Sequence, residues 1–117
     1  MFNNVYKNKK VLITGDTGFK GSWLAIWLNS LGADISGYSL PPKTTKDNYV
    51  TCQLSTKINH LDGDIRDFDK FNNFVTEIKP EFVFHLAAQP LVLDSYKDPK
   101  YTFETNLIGT VNFFEAV

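Results

Sequence analysis

A short apolar run that leads into three evenly spaced glycines limits what this chain can become. Lys10-Val11-Leu12-Ile13-Thr14 stops at Gly15, within the stretch Thr14-Gly15-Asp16-Thr17-Gly18-Phe19-Lys20-Gly21. The run reads as a buried strand, because parallel strands covered on both faces are apolar throughout rather than alternating. Behind the glycines, Trp23, Leu24, Trp27, Leu28 and Leu31 recur at helical spacing, and Gly32 follows as a C-terminal cap. Strand before and helix after is the context that gives a glycine pattern meaning. Gly15 permits the tight turn, Gly18 lets backbone approach a pyrophosphate, and Gly21 lets the helix pack closely. The pyrophosphate would rest on the free amides and positive dipole end of the helix. The spacing is G-x-x-G-x-x-G, not the G-x-G-x-x-G of other dinucleotide folds. No Gly-Lys-Ser/Thr follows, so it is not a P-loop.

The remaining elements alternate. Ile35 to Leu40 reads as the second strand, stopped by Pro41-Pro42. Residues 43–55 read as a polar loop with room for one short helical turn, and Lys57 to Leu61 as the third strand. Phe68, Phe71, Phe74, Val75 and Ile78 mark a second helix that Pro80 terminates. Phe82 to Leu86 is the fourth strand. Asp98-Pro99 starts a third helix, Asp capping free amides and Pro taking the first helical position. Its expected core face is Phe103, Leu107, Val111 and Phe114, with Tyr101, Ile108 and Phe113 among Thr105 and Asn112 on the other side.

Strands joined by helices imply a parallel sheet with right-handed crossovers. Four of them predict the order 3-2-1-4, the first half of a Rossmann-like, doubly wound α/β fold. In that order the apolar fourth strand is an edge, which complete proteins usually cover. No Gly, Asn, Pro or basic residue closes the last helix before Val117. Both features read as an incomplete, N-terminal piece of something longer.

Composition removes several alternatives. A length of 117 residues is one domain's worth. Lys plus Arg number 12 against 13 Asp plus Glu, a net charge of −1 that leaves no basic excess for a nucleic-acid partner. The single cysteine, Cys52, makes neither an internal disulfide nor a multi-cysteine metal site. No apolar run approaches the roughly 18 residues of a transmembrane span, and the first residues lack a signal-peptide core. The expectation is a soluble, cytoplasmic chain without metal or membrane partner.

Other residues join the glycines as candidates. An acid that clamps a ribose is expected at the end of the second strand. That place holds Gly37-Tyr38-Ser39-Leu40, so Tyr38 and Ser39 are the groups available to hydrogen-bond the ribose. Lys43 and Lys46 stand on the following loop, where a 2′-phosphate would find a partner, and NADP stays open on these residues alone. After the third strand, Asp64 is placed to accept from an adenine amino group while Ile65 packs on the ring. The small side chains of Ala87 and Ala88, after His85-Leu86, would let a ribose lie close to backbone. His85 itself reads as a hydrogen-bonded core residue. Asn106, a weak helix former inside the third helix, reads as an Asn that fixes the active-site end of that helix.

These residues together resemble the extended short-chain dehydrogenase/reductases. The run from Val11 to Leu40, with T-G-D-T-G-F-K-G-S-W-L and G-Y-S-L-P-P, is most like the CDP-glucose 4,6-dehydratases. G-D-I-R-D at Gly63, F-H-L-A-A-Q-P-L-V at Phe84, S-Y-K-D-P at Ser95 and T-N-L-I-G-T at Thr105 extend the match along the chain. The resemblance implies that residues 1–117 are the N-terminal part of an NAD-binding Rossmann domain, with the C-terminal remainder and substrate domain absent. It implies NAD as cofactor and a nucleotide-sugar substrate. Such lyases move hydride from sugar C4 to the nicotinamide, lose water across C5 and C6, and return the hydride at C6, as steps of polysaccharide biosynthesis. Carried over, Gly15, Thr17, Gly18, Phe19, Lys20 and Gly21 line the pyrophosphate, and Asp64 and Ile65 hold adenine. Leu86, Ala87, Ala88 and Gln89 run along the nicotinamide side, and Asn106 matches the family's helix Asn.

Leu93 and Asp94 depart from the basic character expected before Ser95-Tyr96. Tyr96 and Lys100 have the spacing of the family's catalytic Tyr-x-x-x-Lys but straddle the Asp98-Pro99 helix start, so no catalytic residue is assigned and the 117 residues alone are expected to be inactive. The resemblance also implies self-association through the helix 99–117. Rival readings are a nucleotide-sugar epimerase or reductase of the same superfamily, or a non-catalytic dinucleotide-binding module.

Overall fold

The computed structural model describes residues 1–117. Four strands, β1 (Lys10–Thr14), β2 (Asp34–Ser39), β3 (Asn59–Asp62) and β4 (Phe82–His85), form one parallel sheet in the order β3-β2-β1-β4. The expected order is borne out. Helices α1 (Phe19–Ser30), α2 (Asn48–Thr51) and α3 (Phe68–Ile78) connect the strands, so each crossover returns the chain to the same end of the sheet.

Alternation along β1 divides the core. Val11 and Ile13 face one side with Ala25 and Leu28 of α1, Ile35, Tyr49 and Leu54. Leu12 faces the other with Tyr38, Ile65, Phe71, Phe74 and Val75. The ends of the elements follow local chemistry. Gly32, at φ +84°, closes α1 in the left-handed region, its amide donating to the Asn29 carbonyl while Ala33 N donates to Leu28 O. Asp67 caps α3 by accepting from Lys70 N at 3.2 Å, and Lys79, at φ +52°, ends that helix before Pro80. The polar loop contains the short helical turn for which the sequence left room.

Beyond β4 the chain differs from its pattern. A helix not foreseen, α4 (Val92–Lys97), comes first, and α5 (Pro99–Phe103) starts at Asp98, whose carboxylate accepts from Tyr101 N at 3.0 Å. A π-helical turn (Glu104–Ile108) then leads into α6 (Gly109–Ala116). The expected core face of this helix is overturned. Phe103, Leu107, Val111 and Phe114 are exposed, and Thr105, Gly109 and Phe113 are buried. A helix apolar on both sides does not reveal from its own residues which side will be covered. The deciding contacts are remote: a Cβ on Gly109 would meet Ile65 at 2.6 Å, and Phe113 packs near Phe71 and stacks on His85. Trp23 and Trp27, read as part of the α1 stripe, are likewise about half exposed.

A candidate dinucleotide site at the ends of β1 and β4

Gly15 leaves β1 at φ +78°, a conformation in which a side chain is strained. A Cβ there would also meet Ala87 N and the Leu86 carbonyl at 2.8 Å, so the turn presses against the chain leaving β4. Thr14 ties the same two segments together: its hydroxyl oxygen accepts from Leu86 N at 3.1 Å and Ala87 N at 3.2 Å. Gly21 brings α1 onto the turn, since a Cβ there would stand 2.0 Å from Gly15 O. Gly18 is the N-cap of α1 and no side chain caps that end. The first amides of α1 therefore point out of the helix without intrahelical acceptors, beside a positive dipole end.

These amides open onto a cleft of about 1230 Å³ above the carboxyl ends of the strands. That is where open α/β sheets bind ligands, at the point where strand order reverses. Gly15, Thr17, Gly18, Phe19, Lys20 and Gly21 line one wall; Ser39, Asp64 and Ile65 line another; Leu86, Ala87, Ala88 and Gln89 line a third. Thr17 holds the turn against β2, its hydroxyl donating to Leu40 O at 2.7 Å and accepting from Ser39 Oγ at 2.8 Å. Lys43 and Lys46 reach the rim.

Three candidates spend polar groups on the protein itself. The Tyr38 side chain is fully buried, and its hydroxyl donates to Asp64 O at 3.0 Å. Burial, then the charges of Asp67 and Asp64, push its pKa up to about 12. Tyr38 reaches the cleft without an available hydroxyl, so the ribose contact expected of that group is corrected to a core role. Asn106 spends both ends of its amide on Gln89, accepting from Gln89 N at 2.7 Å and donating to Gln89 O at 3.1 Å. It fixes the chain after β4 rather than facing the cleft. Asp64 is held by Arg66, with Nη2 at 2.7 Å and Nε at 3.0 Å from Oδ2, and the Arg66 hydrogen bonds hold its carboxyl below the usual range. Arg66 in turn reaches Glu104 at 3.1 Å and lies over the Tyr101 ring at 4.7 Å.

His85 is a hydrogen-bonded core residue, as expected. Its Nδ1 lies 2.7 Å from Thr14 Oγ1 and its Nε2 lies 3.3 Å from Thr110 Oγ1, while burial lowers its pKa. Tyr96 is exposed on α4 and Lys100 lies on α5, with the break at Asp98 between them, so the pair shares no helical face.

Sequence reasoning missed Thr105. The residue is among the cleft lining, and its hydroxyl is buried without a hydrogen-bond partner. A buried polar atom without a partner carries a cost that a bound ligand would remove. A threonine within an apolar helix gives no signal of this; the π-helical turn that sets its orientation is visible only in the fold.

Residues 12–117 match the family described as GDP-mannose 4,6 dehydratase. The chain belongs to that family. It is 47% identical over 114 residues to the CDP-glucose 4,6-dehydratase of Salmonella typhimurium, covering 97% of this chain and 32% of that enzyme. Among solved structures, the epimerase Mth375 of Methanothermobacter thermautotrophicus superposes with a TM-score of 0.82 at 29% identity, over 97% of this chain and 32% of that one. The UDP-glucose 4-epimerase of Brucella ovis, solved in complex with NAD, gives a TM-score of 0.78 at 28% identity over 92% of this chain and 31% of its own. The chain thus spans about a third of the length of its relatives. No helix is long and apolar enough to cross a membrane.

Proposed function

We propose that this chain is the NAD-binding portion of a nucleotide-sugar 4,6-dehydratase that converts CDP-glucose to its 4-keto-6-deoxy product. The observation that carries the reading is the cleft itself: an uncapped helix N-terminus behind a glycine turn, with Thr105, whose buried hydroxyl lacks a partner, in its lining. The residues fit a dinucleotide on that observation. The identity to a CDP-glucose enzyme favours this sugar nucleotide over the alternatives within the family.

NAD supplies a reversible hydride acceptor when bound. The chain's own part is binding and placement. Amides at Phe19, Lys20 and Gly21 would receive the diphosphate, where hydrogen-bond donors and the helix dipole act together. Ile65 would give an apolar surface to adenine, and the Thr105 hydroxyl would gain a partner. Asn106, through Gln89, would keep the strand end against which the nicotinamide ribose lies. None of the assigned residues moves a proton on the sugar, so no catalytic role is placed in this chain.

We further infer self-association through the exposed stripe of Phe103, Leu107, Ile108, Val111 and Phe114. Contiguous apolar surface of this kind marks an interaction site, and in a two-fold contact one substitution is felt twice. Leu107→Lys should weaken the dimer in sedimentation without altering the fold. A monomer at high concentration in the parent protein removes this part.

The decisive test incubates the polypeptide that carries this chain with NAD and, separately, CDP-glucose, GDP-mannose and UDP-glucose. A 4-keto-6-deoxy product formed fastest from CDP-glucose supports the reading. C4 epimerisation without loss of water, or a preference for another nucleotide, refutes it.

A further inference from the structure

Asp16 sits between Gly15 and Thr17, in the turn that faces the cleft, yet its side chain is fully buried and points away from the cleft lining. It passes over Gly37 of β2, where a Cβ would stand 2.1 Å from Asp16 Oδ2. Beyond Gly37 it meets His60 of β3, with Oδ2 at 2.6 Å from Nδ1. The other ring nitrogen, Nε2, lies 2.7 Å from Oδ1 of the exposed Asp62. Asp16 Oδ1 has no partner. A carboxylate oxygen therefore faces each nitrogen of one imidazole. A neutral ring has a single N–H and satisfies one of them; an imidazolium satisfies both.

We propose that His60, through Asp16, positions the glycine-rich turn, and that its protonation sets the affinity of the cleft for a dinucleotide. This rests on the reading of the cleft as an NAD site. With His60 charged, the buried Asp16 carboxylate is neutralised by its partner and the turn is held to β3. When His60 loses its proton, its one remaining N–H stays on the buried Asp16 and the exposed Asp62 turns to water, so Asp16 keeps its hydrogen bond but loses the balancing positive charge. Asp16 is the member that water cannot reach, and its uncompensated charge then lies within the turn whose amides would receive a diphosphate. That opposing charge weakens binding of an anion. By linkage, bound dinucleotide raises the proton affinity of His60 by the same factor.

The surroundings leave His60 as the group that titrates. Burial pulls its pKa down, but the hydrogen bonds and charges of Asp16 and Asp62 outweigh this and leave it above 6.5. Tyr49 of α2 lies with its ring centroid 5.3 Å from that of His60, tilted by 55°, and burial with the charges of Asp16 and Asp62 pushes its own pKa up to about 12, so it stays neutral. Lys70 of α3 donates to the Asp62 carbonyl at 2.6 Å. Gly37 of β2 presents no side chain. His85, the other histidine, has its pKa lowered by burial, so its titration falls below that of His60.

The test has two arms on the purified protein. In the first, NAD is titrated calorimetrically between about pH 6 and about pH 9, the interval that brackets a raised histidine. The dissociation constant should rise about tenfold across it, the equivalent of one pK unit of coupling. His60→Gln keeps a single donor but cannot titrate, and should flatten the profile, as should Asp16→Asn. In the second arm, amide nitrogen and proton shifts of Asp16, Thr17 and Gly18 are followed against pH without NAD. They should track the His60 ring, in a measurement that needs no variant to fold. Turn amides that ignore His60 overturn the inference however NAD binds. An NAD affinity flat with pH in the parent protein overturns it while leaving the cleft reading intact. No NAD binding at any pH, with turn amides that still follow His60, removes the cleft reading and the affinity coupling with it.

Discussion

Replacing Gly21 by Ala sets two known effects against each other. Gly in a helix interior costs about 0.8–1.0 kcal/mol relative to Ala, so propensity alone favours the substitution. The added Cβ, however, would stand 2.0 Å from Gly15 O, 2.7 Å from Gly15 C and 3.0 Å from Asp16 Cα. All three are backbone atoms in a turn already fixed by the φ of Gly15, so no rotamer can relieve them. Non-bonded carbon contacts settle near about 3.5–4.0 Å, so α1 and the turn would have to part by an ångström or more. Overpacking of this kind costs about 1–3 kcal/mol, and a backbone-only contact belongs at the upper end. The net expectation is a loss of about 1–2 kcal/mol, read as a lower urea midpoint with an unchanged slope. Gly18→Val is the counterpart. A Cβ at Gly18 meets only Gly15 O, at 3.2 Å, and φ of −74° suits any residue. That variant should fold to within about 1 kcal/mol of the parent, the scale of an altered N-cap, and lose dinucleotide binding because its side chain fills the cleft. A Gly21→Ala protein stabilised by about 1 kcal/mol would refute the packing argument. A Gly18→Val protein that binds NAD like the parent would refute the placement of the diphosphate.

Two further outcomes check other parts of the structure. At dilutions where the protein is monomeric, Phe113→Ala should cost about 3–5 kcal/mol in thermal or denaturant unfolding and Phe114→Ala under about 0.5, because the first ring is 8% exposed and the second 72%; equal losses would reverse the assignment of the buried face. Asp64 has a folded-state pKa held down by Arg66, so its contribution to stability is present above the ordinary carboxylate range and lost as pH falls through the lowered value; Arg66→Gln should remove that part of the acid dependence, and an unchanged pH profile would show that the pair contributes nothing.

The sequence by itself determined the parts of this protein that depend on neighbours along the chain. The apolar run of β1, the glycine turn, the α1 cap at Gly32, the stop at Pro80 and the Asp98-Pro99 start are local steric and hydrogen-bonding events, legible in a few residues each. Parallel pairing and the order 3-2-1-4 follow from right-handed crossovers, so they too were legible. Most of the cleft wall is made of those same turns and strand ends, and therefore came with them. Tertiary structure decided whatever depends on residues far apart in the chain. The last helix is apolar on two sides, and its buried side was chosen by Ile65, Phe71 and His85, which reach it from other elements. Tyr38 ends β2 like a ribose ligand, but the core below Gly63 took its ring and Asp64 took its hydroxyl. The Asp16–His60 contact joins residues 44 positions apart through a gap that Gly37 leaves open. Side-chain period reports which residues share a face, while the occupant of the other side of each contact is fixed only when the sheet brings distant segments together.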